Sequence, residues 1–170
     1  MSGLRTFVAA IGFAVPFALG ASAEVIDRVS APRLVELIAV NGWPHDLQSN
    51  MDTGEPVITF EAEGVKMVMR ALECESDSCQ TLMIFANFDV GRQLAVQDFL
   101  AVSDFNDANM LGRSYVNLQE NKIGLDLVVD LRGGVTEEHL RLNIAEFPAM
   151  VSAFLAHYVQ FSEHLAAQQR

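Results

Sequence analysis

Few side chains in this chain have chemistry to offer, and the first to weigh are its only two cysteines, Cys74 and Cys79. They directly flank Glu75-Ser76-Asp77-Ser78, a polar loop between two apolar alternating runs, and so face one another across a hairpin end with geometry that suits a disulfide. A redox pair is the functional alternative, but it lacks the two-residue spacing that tunes a thiol at a helix start. The histidines are His45, His139, His157 and His164; the last two lie seven apart on one helical pattern, where a shared metal ion prefers three or four. Asp104-Phe105-Asn106-Asp107-Ala108-Asn109 begins like a calcium loop. It has Ala108 at the fifth position, Asn109 where the turn requires glycine, and Tyr115 where a glutamate should close it, so it reads as a polar helix end. Asp126 and Asp130 share one side of a strand, as an acid–base pair might, yet charges on the wet face of an outer strand are far commoner. No nucleophile elbow, phosphate-binding loop or dinucleotide fingerprint occurs. This inventory points to a non-enzymatic protein with no cofactor and no metal. A small-ligand-binding periplasmic protein and an uncharacterised hydrolase are the rival classes.

Charge and the first residues narrow the setting. Arg5, the apolar run Phe7 to Leu19 and the small-residue pattern Ala21-Ser22-Ala23 form a secretory signal peptide, 1–23, cleaved before Glu24. The run is interrupted by Pro16 and is short of the roughly 20 residues that a bilayer span needs, which argues against an anchor. Removing it takes away one arginine and no carboxylate, leaving a net charge one unit more negative than the −11 of the whole chain. Such a surface repels nucleic acid and anionic lipid heads, and no basic cluster offsets it locally. The expectation is a periplasmic or secreted single domain over 24–170, without a nucleic-acid or membrane partner.

The elements that must hold these residues follow from periodicity. Ser30-Ala31-Pro32 starts a helix whose apolar positions are Leu34, Val35, Leu37 and Ile38, with a Ser30 hydroxyl cap and a stop at Asn41-Gly42. A weak strand over 45–51 is followed by a hairpin, 57–61 and 65–72 around Glu63-Gly64, and by an apolar strand over 82–88. The period then lengthens, with Ala95, Phe99, Val102 and Phe105 as the inward stripe of a second helix. A strand from Ser114 and a sharply alternating one from Ile123 to Leu131 come next. Thr136 caps a long final helix with Glu137 and Glu138 in its first turn, and Pro148 is expected to break or kink it at 145–147. Helix, three or four strands, helix, two strands and helix make an α+β fold, an antiparallel sheet with helices packed on one side.

The Cys74/Cys79 hairpin, the stretch VSDFNDANMLGRSYV at 102–116 and LDLVVDLRGGVTEEHL at 125–140 resemble the YbjN family of bacterial sensory transduction regulators. The chain departs from that family's pattern at Ser103, where the family has an asparagine. The resemblance implies a type III secretion chaperone-like fold, ordered α-β-β-β-α-β-β-α, and a protein-binding or regulatory function by analogy of fold alone. Chaperones of that fold dimerise and hold partner segments on apolar surfaces, so a protein partner or a homodimer is implied. Phe99, Phe105, Tyr158 and Phe161 are the candidate partner-binding residues, with burial in the core as their alternative.

Overall fold

The computed structural model describes residues 24–168; the leader and its cleavage point lie outside them. Two short strands, β1 (Val25–Ile26) and β2 (Val29–Ser30), lead into α1 (Ala31–Ala39). The helix buries Leu34, Leu37 and Ile38 and starts with proline in its first turn. Ser30 is its N-cap, but the hydroxyl makes no capping bond. Its backbone is already engaged as the last residue of β2, opposite Ser78 of a later strand.

A meander of β3 (His45–Ser49), β4 (Pro56–Ala62), β5 (Val65–Glu75) and β6 (Ser78–Asp89) follows. Glu75 pairs with Ser78, so the loop flanked by the two cysteines tightens to a two-residue turn at Ser76-Asp77. After α2 (Val96–Ala108) come β7 (Arg113–Asn117) and β8 (Lys122–Asp130), then β9 (Val135–Thr136) and α3 (Glu137–Gln168). The main sheet is ordered β3-β4-β5-β6-β8-β7, with every pairing antiparallel and β2 joined to the first residues of β6. A separate two-stranded ribbon pairs β1 with β9, and it needs Gly134: a Cβ there would collide with the Val25 side chain.

Alternation along the strands decides where the core sits. Ile58, Phe60, Met67, Met69, Leu82, Ile84, Leu125 and Leu127 point to one face and pack against Leu34, Ile38, Phe105, Phe147 and Phe154 of the helices. On the other face Val68 lies opposite Phe85, and Met83 opposite Val128. That face carries no helix, and its apolar side chains shade one another to half-burial except for Val128, which is 53% exposed.

The final helix is not broken at 145–147: it runs continuously through Pro148, with Thr136 accepting the His139 amide at 3.1 Å. An interior proline costs about 3 kcal/mol, whereas each fully buried large apolar side chain contributes about 1.5–3 kcal/mol. Ile144, Phe147, Val151 and Phe154 are all wholly buried around the proline, so packing outweighs the missing amide and keeps the helix from ending there.

Candidate functional site

The inward stripe of α2 is Asp98, Ala101, Val102 and Phe105. This corrects the expected stripe at its N-terminal half. Ala95 is the N-cap, and Phe99 faces outward at 44% exposure. Both registers fit helical spacing; a charged residue occupies the inward one because three donors wait there. Arg92 places two guanidinium nitrogens at 2.8 Å from the two Asp98 oxygens, the Ala95 amide donates at 2.6 Å, and the Tyr158 hydroxyl of α3 donates as well. Burial pushes the Asp98 carboxyl up, but the bonds from Arg92, Tyr158 and Ala95 more than reverse this and hold it at about 2. The same burial, with the bond to Asp98, pushes the Tyr158 phenol up to about 12. A carboxylate with its oxygens so occupied and a pKa far below neutrality is a poor general base. The group ties the start of α2 to α3.

A second set ties the end of α2 to the sheet edge. Asn106 accepts from the Ser114 amide at 2.8 Å and from its hydroxyl at 3.0 Å, and donates to its carbonyl at 3.0 Å. The Ser114 hydroxyl also reaches the Val102 carbonyl at 2.8 Å. Arg113 forks onto Asp126, which is 3% exposed rather than on a wet face as its place in the strand suggests. Arg113 lies directly across from Asp126 in the β7–β8 ladder and covers it. The neighbouring Gly124 is required, since a Cβ would lie 2.5 Å from the Tyr115 ring and 2.6 Å from Asn87, which accepts the Tyr115 hydroxyl. Asp130 is exposed and paired with its own Arg132, whose hydrogen bonds hold it at about 2. Asp126 and Asp130 therefore do not form an acid–base pair.

Cys74 and Cys79 are bonded, across directly paired positions of β5 and β6. His45, His139 and His164 are exposed; His157 is half-buried against Phe105 and Phe161, with Nε2 at 3.3 Å from Asp104 but without hydrogen-bond alignment. Among the described residues no three His, Cys, Asp or Glu side chains converge as metal ligands. Of the four aromatic candidates, Phe105 is 3% exposed and belongs to the core, so it offers no surface. Tyr158 and Phe161 are half-buried. Phe99 remains, beside Val96 at 74% and Leu100 at 50% exposure.

Two cavities bear on the chemistry. One of about 700 Å³ lies among the start of α1, the β3–β4 turn and the disulfide. Of its two lining carboxylates, Glu55 is already spent on the Thr53 hydroxyl and the Glu73 amide, and Asp77 stands exposed in the hairpin turn. The other, about 540 Å³ and mostly apolar, lies between the end of α2 and the middle of α3.

Against known proteins, the family model YbjN, described as "Putative bacterial sensory transduction regulator", matches residues 30–158. The chain belongs to the YbjN family. No curated protein and no solved structure matches it. The YbjN match spans α1 to Tyr158, and so includes both ties of α2. Within it, the stretch that carries the resemblance supplies Phe105 to the core, Asn106 and Ser114 to the clasp, and Arg113 to the cover of Asp126. Ser103, which stands where the YbjN pattern has asparagine, is exposed on α2. These residues secure a helix against a sheet. One sign of them was readable beforehand: Asp98, Ala101, Val102 and Phe105 have helical core spacing, and a carboxylate in that register demands buried partners.

Proposed function

We propose that this protein is an exported, non-enzymatic protein-binding or regulatory module. The observation that carries the reading is the outward side of α2, where Val96, Phe99 and Leu100 stand 44% to 74% exposed while the opposite side of the same helix is buried. A surface helix normally keeps its solvent side polar. Apolar groups clustered in water are favoured where a partner covers them. The family description, "Putative bacterial sensory transduction regulator", agrees with this. Export rests on the leader pattern at 5–23, and a disulfide suits an oxidising compartment.

The test is photo-crosslinking from position 99 of the mature chain in periplasmic extract. A discrete heteromeric product is expected, lost in Val96→Ser/Leu100→Ser. A product at twice the chain mass alone would reassign the face to self-association, and no product would remove the protein-binding reading. Intact mass of the exported form is expected to begin at Glu24.

A further inference from the structure

The apolar cleft between the end of α2 and α3 has no part in the ties described above. It is open because its walls are short: Ala108 on one side, Ala149 and Ala153 on the other, around a void of about 540 Å³. Met110 and Leu111 close one flank while remaining 100% and 59% exposed, and Met150 lies half-buried in the lining. Glu146, Ala149 and Ala153 fall at three- and four-residue steps, so this wall follows α3 for about 10 Å, two turns. Such a length fits a helical segment better than a single anchored side chain.

Charge identifies the segment. Glu146 lines the cleft, and Asp104 and Asp107 are exposed on α2 beside Ala108. Among the described residues Glu146 and Asp107 have no cationic side chain within ion-pair distance and Asp104 has only the His157 imidazole at 3.3 Å, whereas every arginine already has a carboxylate. The cleft is thus an apolar floor with an acidic rim that no lysine or arginine neutralises. A second copy would bring the same acidic rim against it, and anionic lipid heads would be repelled likewise. A small polar ligand would find little to hold it, because the lining is mostly apolar and one hydrogen of the Asn109 amide group already goes to the Phe105 carbonyl at 2.8 Å. We infer that the cleft docks a basic amphipathic helix of a partner polypeptide, its apolar side chains against Met110, Met150 and the alanines, its lysines and arginines at Glu146, Asp104 and Asp107. Methionine's flexible thioether chain suits a floor that accepts more than one sequence. The inference rests on the protein-binding reading and adds to the outward face of α2 a second surface with a stated partner chemistry.

The probe is a synthetic leucine–lysine amphipathic helix peptide, labelled for fluorescence anisotropy, with a scrambled peptide of the same composition as control. Saturable, salt-weakened binding of the amphipathic peptide is expected. It should fall about tenfold or more in Ala149→Trp, which fills the cleft from an exposed position, and in Glu146→Lys/Asp107→Lys, which reverses the rim. Circular dichroism and the thermal midpoint should stay as in the parent. Equal binding of the scrambled peptide, or full binding by either variant, would overturn the inference. So would a dimer in sedimentation that Ala149→Trp dissociates. If the parent protein crosslinks to a partner through position 99 while the peptide fails to bind it, this docking site falls and the protein-binding reading stands; if neither crosslinking nor peptide binding occurs, both fall.

Discussion

At the scale of single residues, Asp98 shows how a charge can sit in a core. Its partners supply what water would, so removing the charge leaves Arg92 and Tyr158 facing a neutral amide. Asp98→Asn is expected to destabilise by about 2–4 kcal/mol at neutral pH in urea titrations, the lower part of that range because Arg92 is 40% exposed and can rehydrate. The pH dependence follows from the direction of the shift. The folded carboxyl titrates at about 2, below its ordinary value near 4, so the native state favours the charged form. That stabilisation is present above pH 4 and is lost as pH falls towards 2, an acid limb of about 1–2 kcal/mol after allowing for screening at Arg92. The Asp98→Asn protein should lack this part of the limb. An unchanged limb would show that the carboxylate is not held as described.

Between elements, the joint that matters most is α2 on β7. Asn106 makes three hydrogen bonds to one residue of the neighbouring strand, and neither propensity nor periodicity reveals such a joint. Asn106→Ala leaves the Ser114 amide and carbonyl without those partners at a position 3% exposed, so a loss of about 1–3 kcal/mol is expected. Hydrogen exchange should quicken at β7 and the end of α2 while the paired amides of β5 and β6 keep their protection. Uniform loss of protection would mean that the edge strand and the sheet centre open as one unit.

Taken whole, the molecule combines one apolar core with a surface on which every described arginine is matched to a carboxylate. The disulfide contributes little to that core's integrity. It closes a ring of about six residues between strands that already pair, a contribution of about 2 kcal/mol by chain entropy. Cys79 is wholly buried, so alanine is the replacement that avoids burying a hydroxyl. Cys74→Ala/Cys79→Ala should lose about 2–3 kcal/mol in urea titration and keep its circular dichroism spectrum. Outright unfolding would mean that the sheet depends on the bond.

The sequence by itself determined the class of fold and most of the element order. Strand alternation from Val57 to Leu131 and the Thr136 cap are local patterns, and local patterns survive any tertiary context that buries one face. It also determined the acidic surface and the position of the cysteine pair. Three matters were decided only by tertiary structure: which side of α2 faces inward, the continuity of α3 through Pro148, and the burial of Asp126. Each depends on residues distant in sequence: Arg92 and Tyr158 for the first, the core around Phe147 and Phe154 for the second, Arg113 across the ladder for the third. The cleft was equally invisible, because alanine at 108, 149 and 153 reads as plain helix former until two helices are set side by side and the missing side chains become a groove.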